Sequence, residues 1–92
     1  MKIWVAAITH KHGTNVYAAT SRVRLIRELH GYVKEWWHRE IPEVPFPDEG
    51  SEEDVVDRYF DTLEHETLEF IEETELIGNR GYPRKKLNTR NN

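Results

Sequence analysis

The sequence predicts an α+β fold of ββααβ order, in which an N-terminal β-hairpin and a third strand form a small antiparallel sheet carrying two helices on one face. Three observations predict it. Two strand-like runs flank a turn signal within the first twenty residues, and apolar residues then recur at helical spacing in two later segments. A lone hairpin is marginal in water, so a third strand is needed to complete a sheet that two helices can cover. The 92 residues make one domain, because either half alone would be too short to bury a core. That domain is expected over 1–79, followed by a basic tail over 80–92.

From Lys2 to His10 the residues are mainly β-branched, aromatic or small, and Lys11-His12-Gly13 follows as a turn in which glycine permits positive φ. Thr14 to Thr20 again favours a strand and closes the hairpin. Thr20 or Ser21 is placed to cap a helix whose apolar stripe runs through Leu25, Ile26, Leu29, Tyr32, Val33, Trp36 and Trp37. Gly31 interrupts this helix and suggests a close packing contact. Trp36 reads as core; Trp37, at the margin of the stripe, reads as partly exposed and able to anchor a partner. Pro42, Pro45 and Pro47 end the helix, since they lack amide donors and force extended neighbours.

Ser51-Glu52-Glu53-Asp54 has the form of a capping box, with acids suited to the helix dipole. Val55, Val56, Tyr59, Phe60 and Leu63 then line one side of a second helix. Its end is ambiguous from periodicity, because 67–77 reads equally as more helix or as a strand. The strand is the expectation, on the ground that the sheet needs it.

Charge is segregated along the chain. Residues 1–39 carry a net +5, residues 40–77 a net −14 and residues 78–92 a net +5. On the second helix Glu53, Asp57, Asp61 and Glu64 fall in one narrow sector beside the apolar stripe and make a negative ridge. Carboxylates repeating every ~5.4 Å can occupy a basic groove shaped for phosphates ~3.4 Å apart. Two plainer readings stand beside this one: acids on an exposed helix promote solubility, and an acidic middle can fold onto basic ends.

The sequence speaks against several other classes. It has no cysteine, hence no disulfide, thiol nucleophile or thiolate metal centre. His10 and His12 are two apart on a strand end, but two ligands seldom make a metal site, and His30, His38 and His65 are scattered. A turn that hydrogen-bonds through its histidines is the preferred reading. No glycine pattern matches a phosphate loop or a dinucleotide fingerprint, and no serine sits in a nucleophile elbow. The expectation is therefore no catalytic residue, no metal and no cofactor. No run reaches the roughly 20 apolar residues of a membrane span, and the opening apolar run breaks at Thr9-His10, too soon for a secretory leader, so cytoplasmic residence is expected.

The segment Trp4 to Tyr17, an aromatic-containing strand ending in His10-Lys11-His12-Gly13, resembles a group of short uncharacterised proteins of bacteria, plasmids and phages. The similarity extends through Trp36-Trp37 and, more weakly, from Tyr59-Phe60 to Leu76. It implies a shared ββααβ domain and an origin in mobile or accessory genes, without an activity. Small acidic phage-type proteins often inhibit host defence, as anti-CRISPR proteins do, and by that analogy of setting the resemblance implies an inhibitor.

The leading expectation is a macromolecule-binding accessory protein that presents Glu53, Asp57, Asp61, Glu64 and Trp37 to a protein partner with a basic surface, such as a nucleic-acid-binding defence complex. The alternatives are a self-associating module, monomer or homodimer, and a direct nucleic-acid binder using Arg84, Lys85, Lys86 and Arg90, which the acidic balance of the domain disfavours.

Overall fold

The computed structural model describes residues 1–77, and the expected basic tail at 80–92 lies outside them. The elements are β1 (Lys2–His10), β2 (Gly13–Ala19), α1 (Arg22–Glu40), α2 (Glu52–Thr62) and β3 (Thr67–Glu75). The strands form one antiparallel sheet in the order β2-β1-β3. This is the α+β, ββααβ architecture that the apolar pattern predicts.

A two-residue connection, Lys11-His12, joins β1 to β2, and His10 pairs with Gly13 at φ +137°, a conformation that a side chain would strain. The backbone N–H of His12 donates to Nδ1 of His10 at 3.1 Å, so the turn is indeed tied through a histidine. Ser21 and Ser51 cap the two helices, accepting from the backbone N–H of Arg24 at 3.2 Å and of Asp54 at 3.0 Å. These side chains satisfy amides that the first helical turn leaves without partners.

The core lies between the helices and one face of the sheet. Ala6 and Ile8 of β1 meet Leu25, Leu29 and Val33 of α1 and Val55, Val56 and Tyr59 of α2. β3 contributes Leu68 and Ile71, which are three residues apart yet share this face. A register shift makes that possible: Ile8 pairs with Leu68 but Ala7 pairs with Phe70, leaving Glu69 as an extra residue. The bulge gives a strand the three-residue spacing of a helix, which is why periodicity alone leaves 67–77 undecided.

The helices run in the same direction. Glu53 at the start of α2 meets Arg22 at the start of α1, and beyond the end of α2 Glu66 meets Tyr32 and His65 meets Glu40. A parallel pair requires the connection to travel back along α1, and residues 41–51 do so. In passing, Phe46 packs edge-on against Trp37, with ring centroids 5.5 Å apart, and the carbonyl of Val44 accepts from the Trp37 indole at 2.8 Å.

That return path corrects the reading of the two tryptophans. Trp37 is buried, at 1% exposure, and cannot anchor a partner, whereas Trp36 is partly exposed beneath the Arg39 guanidinium, 5.0 Å from its ring centroid. Gly31 is corrected as well. It is exposed, and a β-carbon built there meets nothing within 4 Å, so no close contact requires glycine. Gly31→Ala is expected to stabilise the domain by about 0.5–1 kcal/mol through helix propensity, read as a higher midpoint in urea.

Candidate functional site

Two regions of the surface gather chemically active side chains. The first is the acidic ridge, which the structure divides. Glu53 is held by Arg22 in a two-pronged pair at 2.9 and 2.7 Å, and the Arg22 guanidinium also stands 6.0 Å from the Trp4 ring centroid. This pairing holds the Glu53 carboxyl below the usual range. Glu64 lies beyond the last turn, because α2 stops at Thr62 and Leu63 is already extended, so the ridge loses its fourth member. Asp57 and Asp61 remain exposed on the helix. Neither they nor Asp54 has an ion-pair partner among the described residues.

Asp57 registers the resulting field. Its carboxyl is pushed up by partial desolvation first and then by the negative charges of Glu53, Asp61 and Asp54, with Arg22 opposing. Among the described residues, the acids of α2 are thus only partly paired with bases. β3 adds exposed Glu69, Glu72, Glu73 and Glu75, the last paired with the N-terminal amino group at 2.8 Å.

The second region is a cleft of about 510 Å³ at the end of the domain where the β1–β2 turn, the last turns of α1 and the α2–β3 link converge. Its floor is Glu66, a buried acid at 7% exposure. Oε1 of Glu66 accepts the hydroxyls of Tyr32 at 2.9 Å and Tyr59 at 3.0 Å. Burial, and then the hydrogen bond and charge of Glu66, push both phenols far above their ordinary range, so each stays a donor. Beside this group, Nε2 of His65 lies 3.1 Å from Oε1 of Glu40, while His10 and His12 border the cleft from the turn.

Sequence reasoning passed over this constellation. Glu40 and His65 are 25 residues apart, and Glu66 is one acid among fifteen in its block, so no spacing distinguishes them. The available signal was the pair Tyr32 and Tyr59, whose hydroxyls sit in apolar stripes and must find partners once buried.

Comparison with protein-family models, curated proteins and solved structures finds no match to this chain. What the fold and surface define is therefore a class: a ββααβ domain with acids along one helix and a polar cleft at one end. No helix among the described residues is long and apolar enough to cross a membrane.

Proposed function

We propose that this domain is a binding protein whose partner is a macromolecule with a basic surface, and that Asp57 and Asp61 of α2 are the contact residues. The observation that carries the reading is geometric: Asp57 and Asp61 stand exposed one helical turn apart on α2, and neither has an ion-pair partner among the described residues. Like charges held side by side destabilise one another, and a cation from outside would relieve the repulsion. A groove shaped for nucleic-acid phosphates is the basic surface such carboxylates fit best, which keeps an inhibitor of a nucleic-acid-binding defence complex as the particular form of the proposal. Trp37 has no part in it, and Glu53 acts by anchoring α2 to α1 through Arg22.

The test is affinity capture from cells carrying the gene, at low and high salt. Capture of a basic partner is expected to weaken steeply as salt rises, because exposed charges are screened beyond about 8–10 Å near physiological ionic strength. Asp57→Asn together with Asp61→Asn is expected to lower affinity about 5- to 30-fold at low salt, at up to ~1 kcal/mol per exposed pair. Equal capture by the double variant would dismiss the ridge as a contact surface.

A second reading rests on a different feature. Both helices cover the same face of the sheet, leaving Val16 at 71% and Phe70 at 38% exposure on the other. β2 is an edge strand without a charged side chain, whereas the opposite edge, β3, carries four glutamates. Self-association through β2 is the form of dimer these edges allow. Sedimentation of wild type and Val16→Lys would detect it as a dimer lost in the variant.

A further inference from the structure

We propose that Glu40, His65 and Glu66 form a binding site for a single divalent transition-metal ion, with Zn²⁺ the best-fitting ion. One donor atom from each of the three lies within 4.8 Å of the others. Donors sharing a zinc at ~2.0–2.2 Å stand roughly 3–3.5 Å apart. The His65 Nε2 to Glu40 Oε1 separation of 3.1 Å already meets that spacing. Bringing in the third donor requires a shift on the order of 1 Å, which the half-exposed His65 side chain can supply.

The buried Glu66 separates this cluster from an ordinary surface ion pair. Both of its recorded hydrogen bonds, from the tyrosine hydroxyls, fall on Oε1, and no described residue donates to Oε2. Glu66 is only 7% exposed, and a carboxylate held in so buried a residue is costly unless donors or a cation face it. The tyrosines meanwhile do what supporting groups around a metal do, fixing the ligand's orientation through its other oxygen.

The donor set narrows the ion. Two carboxylates balance a double positive charge, and the imidazole favours zinc over magnesium, which prefers oxygen alone. Three protein ligands leave a coordination position open, and the cleft gives it access to solvent. Lys11 and Arg39 border the same cleft and place positive charge where an anion bound to the metal would lie.

The experiment is calorimetric titration of the tag-free, full-length chain, stripped of metal with a chelator, using ZnCl₂ alone and MnCl₂ alone. One Zn²⁺ per chain is expected, with Mn²⁺ bound more weakly, in line with the general order of affinities. His65→Ala and Glu40→Ala, at side chains whose loss leaves the core intact, are each expected to weaken Zn²⁺ binding tenfold or more. Tyr59→Phe, acting through Glu66, is expected to weaken it about tenfold. The double variant His10→Ala, His12→Ala is expected to bind within twofold of wild type. The proposal is overturned if wild type takes up no Zn²⁺ at ~1 mM, a concentration that would reveal even millimolar affinity. It is equally overturned if His65→Ala binds as wild type does, or if the His10, His12 variant loses the ion, which would place it in the turn.

Discussion

Replacing Trp37 by alanine is expected to remove about 3–5 kcal/mol of folding stability, the range for deleting a large aromatic side chain from a core. For a domain of this size, with a total near 5–10 kcal/mol, the variant would be left marginally folded. The effect has two sources. The indole fills the space between Phe46 of the returning loop and Tyr59 of α2, with ring centroids 5.5 and 6.0 Å away, and its N–H is bonded to Val44. Trp36→Ala, at the partly exposed neighbour packed on the margin of the core, is expected to lose less, about 1–3 kcal/mol, because part of its ring already faces water. Urea unfolding followed by far-UV circular dichroism compares the two directly. Equal losses would mean that the loop does not close over Trp37 in solution.

Glu66→Ala is expected to destabilise the domain by about 2–4 kcal/mol. The substitution leaves the Tyr59 hydroxyl, on a side chain at 0% exposure, without an acceptor, and Tyr32 loses the same oxygen. An orphaned buried donor costs about 1–3 kcal/mol, considerably more than the net value of the hydrogen bond itself. Glu66→Gln keeps a carbonyl for the hydroxyls and is expected to lose only ~1 kcal/mol. A double-mutant cycle isolates the mechanism: adding Tyr59→Phe to Glu66→Ala removes the orphan, so the pair of changes should be no worse than Glu66→Ala alone. Additive losses would show that the hydroxyl finds another partner.

Both predictions concern residues that the sequence presents misleadingly. Trp37 sits at the edge of an apolar stripe, and from the stripe alone its exposure depends on what lies beside the helix. Pro42, Pro45 and Pro47 identify 41–51 as a non-helical connection, but nothing local says that it runs back along α1 instead of away from it. The direction follows from α2 lying parallel to α1, which is a property of the packed whole. Glu66 is hidden for a different reason. Its neighbours in sequence, His65 and Thr67, are exposed and polar within an acid-rich block, and only the fold places it under two tyrosines, one of them 34 residues away.

The ridge was legible in part. Helical periodicity correctly aligns Asp57 and Asp61, because residues four apart share a face whatever the helix packs against. It misplaces Glu64, since the helix stops at Thr62 and the backbone turns extended to enter β3. It also treats Glu53 as free, because Arg22 is 31 residues distant and reaches it only through the alignment of two helix starts.

By itself the sequence determined whatever local backbone chemistry controls. That covers the hairpin at Lys11-His12-Gly13, the serine caps at 21 and 51, the two amphipathic helices and the proline break between them. These depend on φ preference, capping hydrogen bonds and side-chain period, all of which act within a few residues. Tertiary structure alone decided which tryptophan is buried, which acids are paired among the described residues, and that Glu40, His65 and Glu66 converge in one cleft. Those outcomes turn on distances between segments far apart in the chain, and burial and electrostatic interaction depend on such distances whatever the sequence separation.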